Sequence, residues 1–369
     1  MHGGPVLDLW HMSTRPAPSR ITPLIEPRSL SYRSADWQQA MRDAITDVDT
    51  LFAELELPPE HKPAARRAAA LFDLRVPRSY VARMRRGDIA DPLLRQILPL
   101  DAEHADPPGF VDDAVGDQAS AAGDGLLHKY YGRALLVTTG ACAVHCRYCF
   151  RRHFDYSAQH AGGSHAEAAL RRIAADPSIR EVLLSGGDPL SLSNARLESL
   201  GDRLDAIEHV ERLRLHTRTP AVMPERVDEA FLAWLARRRA RVVVVVHVNH
   251  ANELSDDVTA ALRAMAASGA TLLNQAVLLA GVNDSADALA DLSLALFDAG
   301  VMPYYLHLLD RVRGTSHFEV SESRATTLMQ EVAARLPGYL VPKLAREGAG
   351  DDAKSVLGVP ARARHAVRG

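Results

Sequence analysis

RALLVTTGACAVHCRYCF, residues 133–150, joins a β-rich run to three cysteines, and the organisation of the chain follows outward from it. The first seven residues are largely apolar, as in a strand covered on both faces. Five similar runs come later: EVLLSGGDP (181–189), RLRLHTRTP (212–220), RVVVVVHVNH (241–250), TLLNQAVLLAG (271–281) and MPYYLHLLD (302–310). Between them lie HAEAALRRIAAD, NARLESLGDRLDAI, ERVDEAFLAWLARR, ELSDDVTAALRAMAASG and DSADALADLSLALFDAG, with apolar residues three and four apart. Strands separated by single helices indicate a parallel sheet covered by helices. Six units are too few for an eight-unit barrel, so a partial (β/α)6 barrel over residues 126–356 is expected. A doubly wound open sheet is the alternative, because periodicity does not say whether the sheet curls.

Ahead of the barrel, residues 1–20 read as a loosely ordered arm and 21–125 as a helical and irregular segment. SADWQQAMRDAITDVDTLFAEL predicts a helix after a Ser34 cap. HKPAARRAAALFDL and DPLLRQILPL predict shorter ones, and the Gly-, Asp- and Pro-rich stretch 102–125 a connecting loop. Residues 357–369 form a tail. A net charge of −3 gives no electrostatic reason to expect nucleic acid. No apolar run approaches the length of a membrane span, and the candidate Val242 to Val246 is strand-sized, so no membrane span is expected. The N-terminus does not read as a signal peptide. Three cysteines within eight residues point to one local use in a reducing compartment, and the cytoplasm is the default.

Cys142, Cys146 and Cys149 are spaced C-x3-C-x2-C directly after the first strand. Thiolates are the preferred ligands of iron–sulfur clusters, and three of them on a four-iron cube leave one iron open to bind a further molecule. A zinc site completed by His145 or His153 is the competing reading, and would make the chain a zinc-stabilised ligand-binding barrel.

This spacing, followed by an aromatic residue, resembles the radical S-adenosylmethionine superfamily. SGGDPL, ending the second strand, resembles the segment by which those enzymes hold the methionyl amino group, which implicates Gly186, Gly187 and Asp188. CRYCFRRHF, LRLHTRTP, HVNHANE, NQAVLLAGVND and PYYLHLLD occur in the order found in lysine 2,3-aminomutases, and the likeness spans residues 125–356. It implies a [4Fe–4S] cluster, S-adenosylmethionine, pyridoxal 5′-phosphate and an electron donor, acting together to move an amino group from the α- to the β-carbon of lysine.

By the same resemblance Lys354, in DDAKSVLG, carries the pyridoxal, with Lys343 the fallback. Arg151 takes the substrate carboxylate, a bidentate task for which guanidinium is suited. Asp310, ending the sixth strand, takes the distal ammonium. Glu347 stands where the family has a second aspartate. His247 and Gln275 match residues that contact S-adenosylmethionine, while Tyr130 and Arg133 match residues near the pyridoxal. REGAGDDAKS replaces the family's nearly all-glycine loop. PKLARE and the short tail look like the branch that makes (R)-β-lysine for translation elongation factor P, which brings the ligase pathway of that factor in as a partner. A free-standing lysine aminomutase is the alternative within the family.

Overall fold

A computed structural model describes residues 36–118, 125–156 and 164–359. The expected arm, the Ser34 cap and the end of the tail lie outside the described residues. Nine strands pair in chain order: β1 (Leu126–Tyr130), β2 (Arg133–Thr139), β3 (Glu181–Gly186), β4 (Arg212–Thr217), β5 (Arg241–His247), β6 (Thr271–Val277), β7 (Met302–His307), β8 (Lys343–Arg346) and β9 (Ser355–Val356). Strands β2 to β8 are parallel to one another, and β1 and β9 close the two edges antiparallel. The six strands expected from the sequence are all present. The seventh parallel strand, β8, has four residues and follows Pro342, too little pattern to be seen in advance.

The connecting helices Asn194–Asp205, Glu229–Arg237 and Ala286–Asp298 start where Ser193, Asp228 and Ser285 each accept a backbone N–H from the first turn. Together with Ser164–Ala175 and Asp256–Ala267 they are the five helices that the apolar spacing predicts. Their apolar faces cover Ala134, Leu136, Val182, Leu184, Leu213, Leu215, Val244 and Leu272, the outward row of the sheet. The inward row behaves differently. Leu135, Ser185, His216, His247, Gln275 and His307, from six consecutive strands, all line one chamber. Laid flat, those strands would span roughly 24 Å at ~4.8 Å each, so the sheet curls around the chamber. The fold is the partial barrel, and the doubly wound alternative, with helices on both faces, does not apply.

The edges of the curled sheet are not paired to each other among the described residues. Side chains bridge the seam instead: Tyr130 of β1 donates its hydroxyl to Glu347 Oε1 at 3.0 Å, one residue beyond β8.

Residues 36–118 differ from the single long helix expected at their start. Two short helices, Trp37–Arg42 and Val48–Glu54, are capped by Asp36 and Asp47. Ile45 breaks them apart by exchanging backbone hydrogen bonds with Val76. DPLLRQILPL forms only a 3-10 turn over Leu94–Gln96. The segment packs its core, including Leu51, Phe52, Tyr80, Leu94 and Ile97, directly on Ala143 and Val144 of the cysteine loop. Among the described residues no helix is long and apolar enough to cross a membrane.

Candidate active site

The cysteine loop leaves the C-terminal end of β2, the end at which parallel strands present ligands. It is clamped to the N-terminal segment by Arg147, whose fully buried guanidinium meets Glu103 (Nε to Oε1 2.8 Å) and the carbonyl of Phe72 at 2.6 Å. His145 turns the same way, its Nδ1 2.9 Å from the carbonyl of Asp73, while His153 Nε2 lies 3.2 Å from the carbonyl of Arg313. Both histidines are therefore engaged elsewhere. Among the described residues no three His, Cys, Asp or Glu side chains converge tightly enough to hold a single metal ion. Burial pushes the Cys142 thiol well up and Cys149 to about 11, with the other cysteine sulfurs adding repulsion. A metal cluster would offset both, releasing the thiol protons.

The glycine turn after β3 locks onto this loop. Gly187 N donates to Thr139 O at 2.7 Å and Asp188 N to Ala141 O at 2.8 Å. A Cβ on Gly187 would lie 2.4 Å from Ala141 O, and one on Gly186, at φ +117°, 2.7 Å from Thr139 O. The space left by the missing side chains is thus filled by the cysteine loop. The Asp188 carboxylate is likewise spent, accepting from Leu190 N, Thr217 Oγ1, Arg218 N and Thr219 N at 2.7–3.0 Å. All three residues line the chamber, and they hold its wall. Gly187→Ala should therefore lower stability by about 1–3 kcal/mol through overpacking and reduce iron uptake, measured by thermal unfolding and iron content.

Beside the cysteines, Arg218 donates from Nη1 to Cys146 Sγ at 2.8 Å and from Nη2 to Gln96 Oε1 (2.7 Å) and Glu253 Oε2 (3.1 Å). His247 Nε2 lies 2.8 Å from the Tyr148 hydroxyl, and burial together with Arg218 pulls the imidazole down to about 3, so it is neutral. Gln275 pairs with it across β5 and β6. His216 and His307 also line the chamber with Nε2 buried and unpartnered, and burial keeps both rings neutral. Arg218, His216 and His307 were not singled out from the sequence. The two histidines could have been, since they are the polar, inward members of alternating runs, LRLHT and YYLH.

Across the chamber runs a line of alternating charges. Arg151 Nε donates to Asp117 Oδ2 at 2.7 Å, and Nη1 reaches Ser185 Oγ (3.1 Å) and Gly186 O (3.2 Å). Asp117 also pairs with Lys129, which lies 3.7 Å from Glu347 Oε1. Glu347 Oε2 is 3.0 Å from Lys354 Nζ, whose amine lies 5.8 Å from the Tyr305 ring. Arg133 covers the Tyr130 ring at 4.5 Å. The Asp310 carboxyl accepts no hydrogen bond among the described residues, and burial pushes it up to about 7; Glu347 adds to that and Lys354 opposes it. Lys343 is exposed on β8 and does not line the chamber.

An L-lysine 2,3-aminomutase of Escherichia coli is 48% identical over 89% of this chain and 96% of its own length. The chain belongs to the lysine 2,3-aminomutase family. The L-lysine 2,3-aminomutase of Haemophilus influenzae is 42% identical over 87% of this chain and 95% of that protein. That of Acetoanaerobium sticklandii is 31% identical over 87% and 77%. Residues 136–292 match the Radical SAM superfamily. As a lysine 2,3-aminomutase family member the chain is an isomerase that uses a [4Fe–4S] cluster, S-adenosylmethionine and pyridoxal phosphate. The chamber suits all three: it brings together the three cysteine thiols, two neutral polar side chains on adjacent strands and a lysine amine with tyrosine and arginine beside it.

Proposed function

We propose that the chain converts L-α-lysine to (R)-β-lysine, and that the product is destined for translation elongation factor P. The observation that carries the reading is a chamber that offers a guanidinium, Arg151, and two carboxyl groups, Asp310 and Glu347, with the Lys354 amine 3.0 Å from the second of these. An amino acid with a cationic side chain needs that set: a cation for its carboxylate, an anion for its ammonium, and an amine that holds the pyridoxal.

When bound, the three cofactors supply an electron, a hydrogen-abstracting group and an electron sink for the migrating nitrogen. The protein's own work is placement. Cys142, Cys146 and Cys149 would hold the cluster and Lys354 the pyridoxal; His247 and Gln275 would bind S-adenosylmethionine, and Tyr130 and Arg133 the pyridoxal. Arg151 fixes the carboxylate end of lysine. Its fork is already shared with Asp117 and Ser185, so Nη2 is the donor left without a partner among the described residues, and the contact is narrower than the bidentate one expected. Asp310 and Glu347 take the ammonium.

The Asp310 shift gives a pH signature. With a pKa of about 7, Asp310 is mostly neutral at pH 6 and mostly charged at pH 8. Selectivity for lysine over norleucine, which lacks only the ammonium, should rise roughly tenfold over that interval. In Asp310→Asn it should be flat. In the ligand-free fold the sign is opposite: the native state holds this proton longer than the unfolded chain, so the group's contribution to stability falls as pH rises from about 4 to about 7.

Anaerobic incubation with lysine, S-adenosylmethionine and dithionite tests the activity by the appearance of β-lysine. Turnover of another amino acid with none of lysine would overturn it. The elongation-factor role is supported by the likeness of PKLARE and of the segment after Lys354 to that branch of the family. Co-production with elongation factor P and its ligase should yield a β-lysyl mass increment on the factor. β-Lysine without the increment would point to a free-standing aminomutase.

A further inference from the structure

Asp117 lies in the loop ahead of β1, a stretch that carries no motif, yet its side chain is buried and lines the chamber. The loop around it is held from several sides. Val111 exchanges backbone hydrogen bonds with Arg311 and Arg313 at 3.0 Å each, beside Asp310. The Asp113 carboxylate accepts Asp117 N at 3.0 Å and Gln118 N at 2.9 Å, and Lys129 Nζ donates to Val115 O at 2.8 Å. The Asp117 carboxylate then divides its oxygens: Oδ2 takes Arg151 Nε and Oδ1 takes Lys129 Nζ. Burial alone would raise its pKa, but the two cations hold it below the ordinary value, so it is charged.

A buried carboxylate between a buried guanidinium and a partly buried ammonium removes their mutual repulsion and fixes their direction. Asp117 occupies the Nε edge of Arg151 while Ser185 and Gly186 occupy Nη1. The guanidinium is thereby held with Nη2 as its one nitrogen uncommitted among the described residues. We infer that Asp117 is a positioning residue, which sets the Arg151 edge that meets the substrate carboxylate and, through Lys129, ties it to Glu347 and Lys354. This rests on the reading of Arg151 as the carboxylate partner.

The test compares lysine with lysinamide, which lacks only the carboxylate charge. Dissociation constants are read from the change in pyridoxal absorbance of the reconstituted holoenzyme. Wild type should favour lysine. Asp117→Asn, which keeps the shape but loses the charge, should cut that preference about tenfold, the worth of one charge-assisted contact. Asp117→Glu should fall between the two, and iron content and the pyridoxal spectrum should be unchanged in both. An unaltered preference in Asp117→Asn and Asp117→Glu, with Arg151→Gln losing it, overturns the Asp117 inference alone. Loss of iron or pyridoxal along with affinity would make Asp117 structural and overturn it too. An unaltered preference in Arg151→Gln overturns the Arg151 reading itself.

Discussion

Replacing Cys146 by serine is expected to leave the anaerobically reconstituted protein colourless and inactive, where the unmodified chain is brown and carries about four irons. One missing thiolate of three leaves a second iron without a protein ligand, and the remaining sites cannot hold the cube. Ala143 and Val144 keep the loop packed on the N-terminal segment, so thermal unfolding of the apo chain should change little. Activity and colour should therefore disappear without the fold. Colourless wild-type protein with one zinc per chain would instead revive the zinc-stabilised barrel.

Lys354→Ala should abolish borohydride-trappable pyridoxal and reduce the amino shift to background. The Lys354 amine faces Glu347 in the chamber, whereas Lys343 lies outside it against the Tyr304 ring. Lys343→Ala is accordingly expected to keep both the absorbance band and the activity. Pyridoxal trapping that survives in Lys354→Ala and is lost in Lys343→Ala would reverse the assignment. Loss of the amine beside Glu347 has a further effect in the mutant: among the described residues Glu347 retains only Lys129 and Tyr130, and its carboxylate becomes more available to cations in solution.

The barrel was legible because its strands are covered by helices on one face and by a chamber wall on the other, which leaves long apolar runs such as VVVVV. The five connecting helices were legible for the same reason, through their apolar stripes. The edges were not. β1, β8 and β9 are short or amphipathic, and they owe their place to neighbours distant in the chain. The N-terminal helices also escaped, because the Ile45–Val76 pairing that splits them links positions whose partnership no local pattern encodes.

Within the site, the cysteines announce themselves by spacing, and Arg151, Asp310 and Lys354 by the resemblance of whole segments. Asp117 does neither. It stands in a Gly- and Asp-rich stretch where an acidic residue carries no information, and only the folded loop shows that its carboxylate meets Arg151 and Lys129. Asp188 is the converse case: SGGDPL makes it conspicuous in the sequence, and only the fold shows its carboxylate bound by four donors of the wall.

The seam between the edge strands β1 and β9, unpaired among the described residues, gives the bridge from Tyr130 to Glu347 a second meaning. A closed barrel is sealed by its own backbone, but this one is fastened by a phenol, a lysine and a glutamate that also line the chamber proposed to take pyridoxal and substrate. Occupancy and closure thus draw on the same side chains. Filling the chamber should stiffen the two edge strands by mass action, so that backbone amides of β1 and β9 exchange with solvent more slowly in the holoenzyme. The cofactors would then serve this protein as the missing staves of its barrel.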